Sequence, residues 1–256
     1  MQNSAFPPGL WARVVRIIQE CHVIKFRKIF TAAIALLSLG IADVWAVDRI
    51  YHPYVEPSVK ELEYRVTGYN DGDDNRDYQQ HRLGVGYGVN QHVAVEGYLI
   101  GQKYAGDALN LEAYEVEGLW QLYDQGAEWL DSALLFEYEL AQDGSYQELG
   151  VGYLAEKEIG RWSATANLIA RTEIGGDVSG KPAGEVVGQA RYRWLQAFEP
   201  AIEVHWDEDI IAAGPAAMGL LPLDSRHRLK WEVAALLAVE HDIADKIFRG
   251  SLEFEF

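Results

Sequence analysis

Carboxylates and basic side chains recur at alternate positions along much of the chain, and one such run carries a histidine. Glu203, His205 and Asp207 share one face if the segment is extended, because alternate side chains of a strand point the same way. An acid beside a histidine is the minimum that acid–base hydrolysis requires. No suitable serine accompanies them, since Ser163 and Ser251 lie on distant segments. We therefore predict a histidine held in an ion-pair network, and keep a hydrolase as the alternative function.

The other ionic residues of these alternating runs form one predicted inner face. Its acids are Glu96, Glu115, Glu117, Asp131, Glu137, Glu139, Glu148, Glu156 and Glu203, and its bases are Arg65, Arg82, Arg171, Arg191, Arg193, Arg228, Lys230 and Arg249. Opposite charges that pair across a narrow interior fill it and give an occluded, structural protein. Unpaired acids would instead favour the passage of cations. Both interpretations remain open at the level of the sequence.

The composition excludes several classes of function. The net charge of −17 argues against a nucleic-acid partner, which requires a basic surface. Only one apolar run approaches the length of a membrane helix, residues 29–46, and Asp43 interrupts it. A membrane protein with this sequence would therefore have to cross with strands, whose apolar signal falls on alternate residues. No cofactor is predicted.

One loop resembles a calcium site without its essential residues. Asp71–Asp77 is rich in acids, but Arg76 occupies the position of the tight-turn glycine. Arg82 stands where a bidentate glutamate would be needed. We therefore predict a solvated hairpin loop and no metal site.

The elements that must position these side chains are strands. From Glu61 onward almost every segment alternates between apolar and polar residues, with runs of about nine to twelve residues that suit a tilted strand in a membrane. Aromatic residues recur near the segment ends, as in interface girdles. We expect Trp120, Trp162 and Trp194 at one rim and Trp206 and Trp231 at the other. The pattern predicts an all-β, single-chain antiparallel transmembrane β-barrel over residues 61–256.

The strand number is the weak point of this pattern. Eleven segments can be counted, whereas bacterial single-chain barrels have an even number. A strand hidden within Ile210–Leu223, or a misplaced one within Leu229–Phe256, would restore parity. Twelve strands are preferred and ten are the alternative.

The connections between the segments alternate in length. Short links are predicted as periplasmic turns: Asn90-Gln91, Asp124–Ala127, Lys157–Gly160 and Leu195–Ala197. Longer links are predicted as extracellular loops: Asp71–Asp77, Gln102–Asn110, Ile174–Ala183 and Glu208–Ser225.

The N-terminal region has the features of a secretory signal peptide. Basic residues at 25–28 precede an apolar stretch at 29–40, and Val44-Trp45-Ala46 fits a cleavage site. We predict cleavage after Ala46 of a signal peptide spanning residues 1–46, and a translation start near residue 23 is the alternative to Met1. Residues 47–60 are then a periplasmic segment ahead of the barrel.

The C-terminal residues 249–256 resemble the β-signal of bacterial outer-membrane proteins, with alternating aromatics at Phe254 and Phe256. The resemblance implies recognition by the barrel-assembly machinery. More widely, the chain is similar to a family of uncharacterised proteobacterial outer-membrane proteins through residues 52–57, 61–65, 191–194 and 198–200. It is shorter than the family pattern near its end.

These features together predict a porin-like barrel in the bacterial outer membrane, in contact with its lipid and lipopolysaccharide. Its function is predicted as either an occluded structural or scaffold barrel or a small passive cation-preferring channel. An outer-membrane hydrolase with a rim His/Asp site is the alternative.

Overall fold

A computed structural model describes residues 49–70, 77–175, 180, 182–207, 210–241 and 245–256. Its regular elements are twelve strands: β1 (Lys60–Asn70), β2 (Tyr78–Gly88), β3 (Val93–Tyr104), β4 (Asn110–Gln121), β5 (Asp131–Ala141), β6 (Gln147–Ile159), β7 (Trp162–Ile174), β8 (Ala183–Tyr192), β9 (Glu199–Trp206), β10 (Ile210–Pro222), β11 (Arg228–His241) and β12 (Lys246–Glu255). The predicted signal peptide, its cleavage after Ala46 and the acidic loop at 71–76 lie outside the described residues.

The strands form one closed antiparallel barrel. Each strand pairs with its neighbours in sequence, and β1 pairs with β12 to close the sheet, with Glu61 opposite Glu255 and Asn70 opposite Lys246. Closure leaves no unpaired sheet edge, which a strand in lipid requires. The predicted all-β barrel is confirmed, and twelve is the correct strand number. No helix among the described residues is long and apolar enough to span a membrane.

The strand missing from the eleven segments counted in the sequence is β10. It lies in a region that was predicted to be part of a long loop. The expected loop Glu208–Ser225 is therefore wrong, whereas the suspicion of a strand within Ile210–Leu223 is correct. Apolar residues occupy both faces of β10, so it shows no alternation. Pro215 also lies in its middle, and an internal proline argues against a strand because it lacks a ladder N–H donor.

The outward face of the barrel is apolar and the inward face largely polar. Outward-facing Val85, Ile202 and Leu237 are more than 60% exposed, and similarly exposed side chains recur on the other strands. Inward-facing Arg65, Glu117 and Glu203 are buried. This arrangement is the reverse of a soluble sandwich and is typical of a barrel surrounded by lipid.

The two rims carry aromatic residues, with one exception to the prediction. The rim at which the first and last strands meet, near Lys60 and Glu255, is named here the terminal rim; the other is the opposite rim. Trp120, Trp162 and Trp194 lie at the terminal rim, and Trp206 ends β9 at the opposite rim. Trp231 was expected beside Trp206. It instead lies near the start of β11, where its ring is 6.2 Å from that of Phe198 at the terminal rim.

The connections do not alternate in length as predicted. At the terminal rim the nine residues 122–130 join β4 to β5, so the predicted short link Asp124–Ala127 lies within a longer connection. At the opposite rim the five residues 105–109 join β3 to β4, because both strands extend into the predicted long loop Gln102–Asn110. The predicted turn Lys157–Gly160 is shorter than expected, because β6 continues to Ile159 and the reversal occurs at Gly160 and Arg161. Gly160 has a positive φ of 63°, which a tight reversal of this kind favours.

One side of the interior is apolar. Inward side chains of β10, β11 and β12 pack with Tyr69 and Tyr78 into a buried cluster that includes Ile210, Leu236 and Ile247. Ionic side chains line the rest of the interior, including the part of β11 and β12 nearer the terminal rim.

Candidate functional site

The candidate site is the barrel lumen, and the structure places all predicted lumen residues on inward positions of their strands or at the terminal rim. These residues are Glu96, Glu115, Glu117, Asp131, Glu137, Glu139, Glu148, Glu203, His205, Arg171, Arg191, Arg193, Arg228 and Lys230. Most of them have an ionic partner on another strand, as described below.

Buried ion pairs connect inward side chains along the lumen wall. Arg171 on β7 binds Glu137 on β5 through Nε and Nη2, at 3.0 and 3.1 Å, and reaches Glu185 on β8 at 2.6 Å. Arg82 on β2 pairs with Glu115 on β4. The contacts of Arg171 with Glu137 and of Arg82 with Glu115 each span one intervening strand, whereas Arg171 and Glu185 lie on the neighbouring strands β7 and β8.

A second buried network joins β9, β11 and β12. Arg249 Nη2 lies 2.8 and 3.0 Å from the two carboxylate oxygens of Glu203, and the same group pairs with Glu232. His205 Nε2 is 3.4 Å from Glu203, and its Nδ1 is 3.9 Å from Glu185. The histidine side chain is 1% exposed.

This geometry favours a structural role for His205. Its described polar partners are carboxylates, and Asp207 is used elsewhere, because its Oδ1 accepts a hydrogen bond from the backbone N–H of Ile210 at 2.8 Å. Ser163, a candidate nucleophile by type, donates to Glu156 near the terminal rim. Ser163 and His205 therefore belong to different networks.

Residues 49–56, named here the lumen segment, enter the barrel ahead of β1. Asn167 on β7 holds the backbone of Tyr51 with two hydrogen bonds: Tyr51 N donates to Oδ1 and Nδ2 donates to Tyr51 O, both at 2.9 Å. Both residues are buried. The clamp mimics one rung of a sheet and fixes the depth of the segment in the lumen.

The Tyr51 side chain extends this contact to β4 and β5. Its hydroxyl lies 2.8 Å from Glu117 on β4 and 3.4 Å from Glu137 on β5. Burial raises the pKa of Tyr51 well above its ordinary value, and the carboxylate of Glu117 adds to the shift. The phenol therefore stays protonated and donates to the acids.

Arg49 lies among three carboxylates of the barrel wall. Its Nη1 is 2.9 Å from Glu63, and its Nη2 is 2.8 Å from Glu96 and 3.5 Å from Glu117. Burial alone lowers the pKa of Arg49, but the carboxylates outweigh it and raise the pKa above its ordinary value. Arg49 is thus a charged group placed where the wall is most acidic.

Further contacts hold the rest of the segment toward the terminal rim. His52 Nδ1 is 2.6 Å from Glu156, Tyr54 donates to Asp131 at 3.0 Å, and the N–H of Val55 donates to Gln121 at 2.8 Å. The sequence predicted residues 47–60 as a periplasmic segment, and its compartment stays a prediction. The structure places the side chains of its first described residues against the lumen wall.

Glycines on the inward face of β2 provide the space for this packing. A Cβ at Gly88 would lie 2.0 Å from the backbone oxygen of Glu56, and one at Gly84 would lie 2.3 Å from the ring of Tyr98. Any larger residue at Gly88 would displace the segment itself, because the atom it meets is backbone.

Solvent does not reach the middle of the described lumen. Arg65, Leu154, Asn167 and Glu203 face inward from different walls and each is at most 1% exposed. A cavity of about 510 Å³ lies on the terminal side of this buried level. Its lining includes Arg49, Glu61, Glu96, Lys230 and Glu253, so acids predominate there.

Three carboxylates of the cavity come close enough together to hold a metal ion. Oxygens of Glu61, Glu253 and Glu255 lie within 4.8 Å of one another. The ammonium of Lys230 already lies 2.9 Å from Glu253 and 2.7 Å from Glu255. The cluster is therefore matched by an internal cation.

Sequence reasoning missed the lumen segment and its partners Tyr98 and Asn167. The sequence did contain a sign that this segment makes specific contacts. Within the predicted periplasmic segment, residues 51–57 combine a histidine, two tyrosines and two prolines. Pro53 and Pro57 lack N–H donors, which favours an extended segment held by side chains over an added strand.

Comparison with known proteins supports the fold. No family model and no curated protein matches the sequence. Among solved structures, a KdgM porin in complex with disordered oligogalacturonate is similar with a TM-score of 0.53 and 10% identity, covering 77% of this chain and 99% of that chain. An outer membrane channel from Pseudomonas putida F1 is similar with a TM-score of 0.51 and 12% identity, covering 82% and 99%. These likenesses confirm the predicted porin-like β-barrel fold.

Proposed function

We propose that the protein is an occluded outer-membrane barrel with a structural or scaffold role in the envelope. The observation that carries the proposal is the lumen segment, in which Tyr51 joins Asn167 on β7 to Glu117 on β4. Inward side chains around it are cut off from solvent. A passage for solutes would require this packing to be taken apart.

The energetics support a closed resting state. Separating a buried ion pair leaves each charge without its partner in a poorly solvated site, which costs several kcal/mol. Opening the lumen would break the contacts of Arg49 and Tyr51 together. The closed form is therefore expected to dominate in the absence of a ligand or partner that compensates for this loss.

Planar-bilayer recording of the refolded mature chain tests the proposal. We expect no conductance steps above the protein-free baseline, because the central lumen is packed. Folding is verified in the same preparation by the slower gel mobility of the boiled sample. Stable steps from the folded, inserted protein would overturn the occluded function.

A cation-preferring channel is the second candidate, favoured by the acidic cavity on the terminal side. Its carboxylates at Glu61, Glu63 and Glu96 would attract cations if the lumen segment moved. The fold likeness to a porin bound to an oligogalacturonate does not transfer that solute, since an acidic sugar would be repelled by this lining. Cation selectivity that is lost in the E115Q/E117Q variant would support the channel.

The remaining expectations belong to the same proposal. The exterior would contact outer-membrane lipid and lipopolysaccharide, and Phe254 and Phe256 would be read by the assembly machinery during insertion. The barrel is proposed as non-enzymatic, since the described polar partners of His205 are carboxylates. Protease or phospholipase activity that disappears in His205→Ala would contradict this point.

A further inference from the structure

The barrel wall contains a preformed site for a guanidinium group, currently filled by a residue of the same chain. Glu63, Glu96 and Glu117 stand on β1, β3 and β4 and meet Arg49 from three directions. Tyr98 donates to Glu63 at 2.9 Å and also to Glu96. All four residues stand on paired strands of the barrel wall.

The wall keeps a surplus of negative charge when Arg49 is left out of account. Arg65 Nε pairs with Glu63 at 3.1 Å, and Arg82 lies 3.9 Å from Glu117 while binding Glu115 more closely. Apart from Arg49, the cations paired with Glu63, Glu115 and Glu117 in these contacts are Arg65 and Arg82. The fourth acid, Glu96, pairs with Arg49. Arg49, which comes from the lumen segment, adds a third cation to this acidic part of the wall.

The shape of the site suits a forked organic cation better than a bare metal ion. Arg49 uses two separate nitrogens for its acids, and its guanidinium carbon lies 4.7 Å from the centre of the Tyr51 ring. Planar guanidinium groups bind several carboxylates and stack on aromatic rings. Among the described residues, the carboxylates close enough to share one ion are Glu61, Glu253 and Glu255, a different set.

Access to the site is provided by the cavity of about 510 Å³, which touches Arg49 and all three acids. We propose that Glu63, Glu96 and Glu117 form a binding site for solutes that carry a guanidinium or primary ammonium group, and that Arg49 is its internal occupant. Such a solute competes with Arg49, and its binding releases the lumen segment from this wall. The inference goes beyond the occluded function and holds whether or not ions then flow.

The test uses the full mature chain, refolded in detergent, with methylguanidinium at millimolar concentration as the probe. In Arg49→Ala we expect the probe to raise Tm by about 2–4 °C, because a ligand that binds only the folded state stabilises it. Wild type should show no shift, since Arg49 occupies the site. In R49A/E96Q the response should be lost. Arg226→Ala, which removes an exposed arginine from a turn, is the matched control and should not respond.

A second variant covers the case in which Arg49→Ala does not fold. Refolding of this variant only when the probe is present would itself support the site. If it fails with and without the probe, Asn167→Ala decides, because it keeps Arg49 but removes the clamp on Tyr51. A probe-dependent rise in Tm of Asn167→Ala supports the proposal, and none overturns it. A folded Arg49→Ala that ignores the probe also overturns it. Open channels in wild-type bilayers would instead contradict the occluded function and leave this site standing.

Discussion

Arg249→Ala is expected to lower the free energy of unfolding by about 3–5 kcal/mol, among the largest single effects in this barrel. The reason is the carboxylate of Glu203, which is fully buried and receives both of its Arg249 contacts from one guanidinium nitrogen. Without Arg249 that charge stays inside the barrel with Gln189 and His205 as its described neighbours. Urea unfolding of the refolded protein, followed by tryptophan fluorescence, measures the loss.

Two further variants make the result specific. Arg226→Ala removes the same side chain from an exposed turn and should change the free energy of unfolding by less than about 0.5 kcal/mol. The double variant R249A/E203Q should recover part of the stability, because it removes the orphaned charge as well as its partner. A loss below about 0.5 kcal/mol for Arg249→Ala would show that Glu203 is not held as a buried ion pair.

The barrel could be predicted from the sequence because neighbouring residues of a strand face different environments, lipid on one side and the lumen on the other. On β7, for example, Ala164, Ala166 and Leu168 face outward while Thr165 and Asn167 are buried inside. Lipid outside and an ionic lumen inside impose opposite requirements on neighbouring residues, so the period of two is visible wherever both apply.

The same reasoning failed where the two environments are alike. The inward residues Ile210, Ala212 and Met218 of β10 pack in an apolar part of the lumen, so both faces of that strand are apolar. Alternation then carries no signal. Trp231 was assigned to the wrong rim as a consequence. Without β10, the segment that contains Trp231 is assigned the opposite direction between the two rims.

The lumen segment was beyond reach for a different reason. Its contacts join residues far apart in the chain, as in the 116-residue separation of Tyr51 and Asn167. Periodicity reports the face of a strand on which a residue lies, but not the segment that meets it across the lumen. The inward acids could therefore be predicted from the sequence. The role of Arg49, which pairs with acids on β1, β3 and β4, could not.

Gly88→Ala is expected to destabilise the seated lumen segment while leaving the barrel folded. The new Cβ would lie 2.0 Å from the carbonyl oxygen of Glu56 and 2.9 Å from its carbon, so the backbone of the segment has to move. Two hydrogen bonds that join this region to β2 would be disturbed, from Ser58 N to Gly88 O at 2.7 Å and from Gly88 N to Val59 O at 3.0 Å. Overpacking of this kind costs about 1–3 kcal/mol.

This loss of stability raises the fraction of molecules in which the lumen segment is exposed to protease. We expect chymotrypsin to cleave after Tyr51 and Tyr54 about 10- to 100-fold faster than in wild type, as read by mass spectrometry of the released peptides. Gly118→Ala is the matched control, because its Cβ would meet nothing within 4 Å, and it should be cleaved at the wild-type rate. If Gly88→Ala is cleaved no faster than Gly118→Ala, the segment does not depend on its contact with β2. The closed lumen would then have to rest on the ion pairs of the lumen wall alone.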